Sequence, residues 1–231
     1  DFDELTERFP ESFLKYVQHF TKNPYWIDFG RLQKRQDAEN YNVDGYIRTY
    51  QEVKNLFRSR EIEKARRKFE ELSAYGVRYP LEELDGLFLL EAEGNLQKAG
   101  EIAEYLVAEC EKEDSIYRPD RQYILPVCGN VRWDLGDKEG AFLLWKEVPE
   151  ARDSRYGRMK YYLENEETVE QAREIAMDIW EMEGSGQNVS KYLTVANEKY
   201  LLKLETQWKS AESKEERDRI RLEKAWCYYQ E

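Results

Sequence analysis

The residues best suited to chemistry are few, and most are isolated. His19 is the only histidine in the chain and lies between Gln18 and Phe20, with no Asp or Cys at a useful spacing. A general base needs an orienting partner, so a structural role is expected for it. The three cysteines, Cys110, Cys128 and Cys227, are odd in number and widely spaced, which does not make a disulfide framework. Buried reduced thiols are expected, and no zinc site, because zinc needs clustered Cys and His ligands.

Carboxylates are abundant, which lowers the value of any one pair. Glu82-Glu83, Glu166-Glu167 and Glu215-Glu216 read as helix starts, where acidic groups suit the helix dipole. A glycosidase-like acid and base drawn from them is the minority reading. Gly184-Ser185-Gly186 lacks the lysine and strand context of a phosphate loop. Asn188-Val189-Ser190 fits a glycosylation sequon, which matters only in a secreted protein. Arg66-Arg67-Lys68, with Arg58 and Arg60, is the one basic cluster and reads as a solvated helix face. No cofactor and no metal are expected.

Charge narrows the partners. The chain has 231 residues, with 48 acidic against 36 basic side chains, a formal net charge of −12. Nucleic-acid binding needs basic surface to displace counterions from phosphates, and an anionic membrane surface makes the same demand. Neither is expected as a partner. No apolar run approaches the roughly 20 residues of a membrane span. The first residue is Asp1 rather than Met, so a trimmed chain or a lost signal peptide stays open; cytoplasm is the expected compartment.

Low glycine and proline (12 and 6) argue against a turn-dense β-fold, and an internal repeat identifies the elements instead. Four segments superimpose: REIEKARRKFEEL (60–72), GNLQKAGEIAEYL (94–106), GDKEGAFLLWKEV (136–148) and ETVEQAREIAMDI (167–179). Each has alanine at its sixth position: Ala65, Ala99, Ala141 and Ala172. Four residues on stand Phe69, Ala103, Trp145 and Ala176; seven on stand Leu72, Leu106, Val148 and Ile179. That spacing is one face of an α-helix. The alanines step by 34, 42 and 31 residues. The long step is expected to hold an extra loop at 113–120.

This pattern resembles the tetratricopeptide (TPR) repeat over about residues 46–182, most closely on the second helix of each unit. The third unit matches best, with Gly129 at the small first-helix position, Leu135-Gly136-Asp137 at the turn, and Ala141 and Trp145 on the second helix. The other units have Val53, Leu87 and Lys160 at the small position, and turns at Arg60-Glu61, Gly94-Asn95 and Glu167-Thr168. The closing proline of the family is absent. The resemblance implies an all-α fold, a right-handed solenoid of ten to twelve helices in antiparallel pairs.

One continuous domain is expected. Residues 1–45 form N-terminal helices, one with the stripe Phe13, Val17 and Phe20 and another carrying Ile27 and Leu32. Residues 46–182 form four units, and 183–231 a closing helix pair at about 191–209 and 213–229. Gly184 to Asn188 reads as the loop before that pair. The last helix opens on the capping box Ser213-Lys214-Glu215-Glu216, has a Glu215–Arg219 pair, and would dock through Ile220, Leu222, Trp226 and Tyr229.

In TPR proteins the first helices line a groove, and the resemblance carries that role to positions here. They are Tyr50, Lys54, Phe57 and Arg58 in the first unit, Phe88 and Glu91 in the second, Asn130, Trp133 and Asp134 in the third, and Tyr161 and Glu164 in the fourth. The family's carboxylate clamp needs a lysine where Tyr50 stands, so chaperone-tail binding is not implied. The leading expectation is a non-catalytic scaffold holding a protein or peptide, basic if acidity steers it. Alternatives are an acidic inhibitor, immunity or chaperone-type protein masking a basic toxin or effector, the helical arm of a larger enzyme, and a carboxylate-based hydrolase.

Overall fold

A computed structural model describes residues 31–183 and 187–229. The described chain is helical, with ten α-helices and one two-stranded ladder. It forms two compact units, Asp1–Leu135 and Gly136–Glu231.

The first unit contains α1 (Val43–Arg58), α2 (Ile62–Glu70), α3 (Glu82–Ala92), α4 (Leu96–Glu111) and α5 (Arg121–Asp134). Each helix packs against the next one in sequence. Short 3-10 turns at Glu71–Tyr75 and Arg118–Asp120 interrupt the series. The second of these closes the long connection after α4, where the sequence led us to expect an extra loop.

Where a helix carrying Leu32 is expected, the structure has extended chain instead. Gln33–Lys34 (β1) pairs antiparallel with Val77–Arg78 (β2). The Arg35 amide donates to the Gly76 carbonyl at 2.7 Å, and its guanidinium donates to the Val77 carbonyl and pairs with Glu82. These long-range bonds outbid local helix formation, which a sequence period cannot reveal. His19, Ile27 and the stripe of Phe13, Val17 and Phe20 lie outside the described residues.

The aligned alanines are core residues. Ala65, Ala99, Ala141 and Ala172 are fully buried. A methyl side chain at such a point lets a neighbouring helix approach closely, and a larger residue there would overpack it. The turns preceding these helices also repeat. Arg60, Gly94 and Gly136 all have positive φ, at 62°, 77° and 94°, and share the 34- and 42-residue spacing of the alanines. Gly94 and Gly136 have open space where a Cβ would sit, so glycine is there for its backbone freedom. Arg60 adopts the same left-handed conformation with a side chain, which costs about 1–2 kcal/mol. Arg60→Gly is therefore expected to raise stability by about 0.5–1 kcal/mol in urea denaturation, net of glycine's greater unfolded-state entropy.

The second unit contains α6 (Lys138–Glu147), α7 (Arg152–Tyr162), α8 (Val169–Glu183), α9 (Gln187–Ser210) and α10 (Lys214–Tyr229). Its core runs through Met159, Ala172, Ala176, Ile179, Ala196, Leu204, Ile220 and Cys227. Six residues separate α7 from α8, three of them in the 3-10 turn Glu166–Thr168, whereas three residues separate α5 from α6. That insertion shifts the register of α7 by three. The small residue facing a larger partner is Gly157, against which the Trp145 indole packs, and not exposed Lys160. The helix register that placed Glu164 on α7 is corrected with it: Glu164 lies in the turn after the helix.

The last helix docks differently from expectation. Ile220 and Cys227 are fully buried, while Leu222 and Trp226 are 74% and 53% exposed. Residues seven apart share a helix face, and Leu222 points about 200° away from Ile220. Ser213 does cap the helix, its Oγ accepting from the Glu216 amide at 3.0 Å. Arg219 lies 3.7 Å from Glu223. Gln187 already opens α9, so Gln187 and Asn188 of the expected loop are helical, and 184–186 lie outside the described residues.

Candidate functional site

One stripe of α1 faces one stripe of α3. On α1, Tyr46, Tyr50, Val53, Lys54 and Phe57 recur at intervals of three and four residues, the helical repeat. On α3, Asp85, Phe88 and Leu89 do the same, preceded by Glu82 in the first turn. A buried tyrosine hydroxyl needs a partner, and the acidic first turn of α3 supplies it. Tyr46 donates to Glu82 Oε2 at 2.8 Å, and Tyr50 donates to Asp85. The Arg35 guanidinium holds Glu82 from its other side. Tyr46 and Tyr50 stack with centroids 6.0 Å apart, and Tyr79 meets Tyr50 edge-on at 6.2 Å.

These contacts fix the floor of a cavity of about 280 Å³ between α1 and α3. Tyr50, Val53 and Leu89 form its buried part, Asp85, Lys54 and Phe88 are half-buried, and Phe57 and Arg58 are exposed. The lining is mostly apolar, with three charged side chains among eight residues. Lys54 Nζ sits 4.6 Å from the centroid of the Tyr50 ring, a cation over an aromatic face.

Enclosure sets the protonation equilibria. Burial pushes the Asp85 carboxyl up to about 6, against the opposing effects of Lys54 and of the Tyr50 hydrogen bond. Burial likewise holds Lys54 below its ordinary value, Asp85 opposing and Arg58 adding to the effect. The Tyr50 hydroxyl is raised well above its ordinary value, by burial first and then by Asp85.

Five of the eleven residues expected in the groove, Tyr50, Lys54, Phe57, Arg58 and Phe88, line this one cavity. Glu91 and Asp134 form a second group. Burial, then the Asp134 charge, raises Glu91 to about 7. Asn130 and Trp133 are half-buried on α5. Tyr161 and Glu164 belong to the other unit. Tyr161 stacks on Phe142 at 4.0 Å and donates to Glu139, and Glu164 receives Lys138 at 2.6 Å.

Asp85, Val53 and Leu89 were not among the expected site residues. The signal was present for Asp85: two tyrosines four apart on one helix and two acids three apart on another make complementary donors and acceptors. Val53 and Leu89 read only as core.

A pair of converging carboxylates would be needed for acid–base hydrolysis. Asp85 and Glu91 both have raised affinities for a proton, yet they stand six residues apart on α3. That puts them about 9 Å apart along the axis and about 120° around it. Asp85 meets α1, and Glu91 meets α5. Glu82 is committed to Tyr46 and Arg35, and Glu83 lies 3.7 Å from Arg78.

Two members of the basic cluster, Arg66 and Lys68, are matched by acids. Arg66 pairs with Glu70 and Glu93 at 2.8 and 2.7 Å, and Lys68 with Glu71 and Glu52 at 2.9 and 3.3 Å. All three cysteines are buried thiols outside any disulfide. Among the described residues no group of three or more His, Cys, Asp or Glu could hold a metal ion. No described helix is long and apolar enough to cross a membrane.

Comparison with protein-family models, with curated proteins and with solved structures finds no match to this chain.

Proposed function

We propose that this protein is a binding module built of TPR-like helical repeats, which holds a protein or peptide by seating a large apolar side chain between α1 and α3. The observation that carries the reading is the shared cavity. Residues assigned to a groove from one helix register, on two helices about 30 residues apart in sequence, border a single mostly apolar opening. A solenoid of helix pairs is supported by the four buried alanines and by the three left-handed turns at the same spacing.

The mechanism is anchoring. Phe57 and Phe88 give apolar walls at low entropic cost, and the floor is held by hydrogen bonds before any partner arrives, so little reorganisation opposes binding. The test is panning of a random dodecapeptide display library on the full chain. Enriched peptides are expected to share one large apolar residue whose replacement by alanine abolishes binding. Phe57→Ala, at a position 38% exposed, is expected to weaken those peptides about tenfold while leaving the melting curve in place. Peptides indifferent to Phe57, or no enrichment at all, would remove the reading.

A further inference from the structure

The cavity mouth has the opposite electrostatic sign to the protein as a whole. The chain carries −12, yet the side chains bordering this opening include two cations and one carboxylate. Lys54 and Arg58 are one turn apart on α1 and both line the opening, Arg58 exposed and Lys54 half-buried. Asp85 is at the floor, where the Tyr50 hydroxyl donates to it. A ligand entering from solvent therefore meets the exposed Arg58 first.

We propose that the segment received by this cavity is acidic: a large apolar side chain enters between α1 and α3, and a neighbouring Asp or Glu of the same segment lies against Lys54 and Arg58. This specifies the partner of the binding reading above and rests on it. It reverses, at this site, the basic partner that net charge alone suggests.

The argument is one of charge complementarity at short range. Net charge acts over a Debye length of about 8–10 Å and steers encounter, whereas register in the bound state is fixed by the charges in contact. A basic segment would bring its cations against Lys54 and Arg58, and like charges in contact discriminate strongly against a partner. Burial and Arg58 hold Lys54 below its ordinary value, and the Asp85 carboxylate offsets them only in part. A second carboxylate, brought by the segment, would add to that offset, since an opposite charge favours the charged form. Along α3 beyond Phe88 the sign changes again, because Glu91 stands there with the Asp134 charge acting on it. The acidic residue of the segment is thereby placed on the α1 side of its anchor.

The peptides enriched on the full chain decide the matter. Expected are sequences in which the apolar anchor is flanked on one side by Asp or Glu, with binding weakened at least tenfold when that acid becomes Lys. Arg58→Glu, at an exposed position, is expected to weaken the same peptides about tenfold, and the Lys54→Glu/Arg58→Glu pair to turn the preference toward basic flanks. Circular dichroism checks that the variants fold, and the single exposed variant remains informative if the pair does not. An anchor with neutral or basic flanks, insensitive to Arg58→Glu, would overturn the proposal and leave the binding reading standing. Peptides with no common apolar anchor would overturn both.

Discussion

Gly157→Ala is expected to destabilise the second unit by about 2 kcal/mol net, seen as a lower urea midpoint by circular dichroism. A Cβ at this position would fall 2.2, 2.3 and 2.6 Å from three atoms of the Trp145 indole. Such distances cannot be met without displacing one group. Both residues sit in tightly packed surroundings, Trp145 being 1% exposed and Gly157 buried. Overpacking of this kind costs about 1–3 kcal/mol, and a rigid indole places this case at the upper end. The cause is separable from helix propensity, because alanine at an interior helix position by itself gains about 1 kcal/mol over glycine. The sign of the result is thus diagnostic: a stabilised variant would mean that the indole does not occupy this space. Trp145→Leu should remove the collision, so that Gly157→Ala becomes neutral or stabilising in the double variant. A coupling of that size between two sites is what direct contact predicts.

The second large effect is a pH-dependent gain from Asp85→Asn. The folded carboxyl titrates near 6, above its ordinary 3.8. Between these values the unfolded chain releases its proton while the folded chain keeps it, so stability falls as pH rises and the loss is complete above about 6. Asparagine keeps an oxygen for the Tyr50 hydroxyl and removes the ionisation. The variant is expected to exceed the parent by about 1–2 kcal/mol at pH 8, a figure discounted for the partial exposure of the site, and to equal it near pH 4. Glu91 acts in the same direction between its ordinary 4.5 and about 7, so the variant should retain that part of the pH dependence. Urea denaturation across pH 4–8 measures both. A variant less stable than the parent at pH 8 would show that Lys54 requires the Asp85 charge more than burial penalises it.

Both effects arise at contacts between helices, which a helix period alone does not specify. The second helix of each unit was legible because alanine, a residue four on and an apolar residue seven on lie on one face whatever else surrounds them. The first helices were not. Their small position is occupied by Val53 and Leu87, which are also ordinary core residues, and in the fourth unit a three-residue insertion moved that role from Lys160 to Gly157. Periodicity carries no information about loop length, so every position carried across that turn moved with it, Glu164 included.

For the site, the sequence supplied its aromatic and cationic residues but not its floor. Tyr50, Lys54, Phe57 and Arg58 follow from one helix period, and Phe88 from the next repeat. Asp85 is one of 48 acidic residues, and the match of two acids to two tyrosines becomes decisive only when their helices are known to be neighbours. Only the approach of α3 to α1 singles it out, by making it the acceptor for Tyr50.

The last helix shows the same division from the other side. An apolar stripe through Leu222 and Trp226 is as good a helix face on paper as one through Ile220 and Cys227. The neighbouring helix covers the latter, leaving Leu222 and Trp226 in solvent.

By itself, then, the amino-acid sequence determined helix content, the aligned alanines, the turns before their helices and the overall negative charge. These are local properties, set by side-chain size, backbone freedom and composition. Tertiary structure decided the extended strap at Gln33–Lys34, the cavity between α1 and α3, the proton affinities of Asp85 and Glu91, and the face on which α10 docks. Each of these depends on which distant groups come into contact and on how much water they exclude, and desolvation and long-range hydrogen bonding have no period in a sequence.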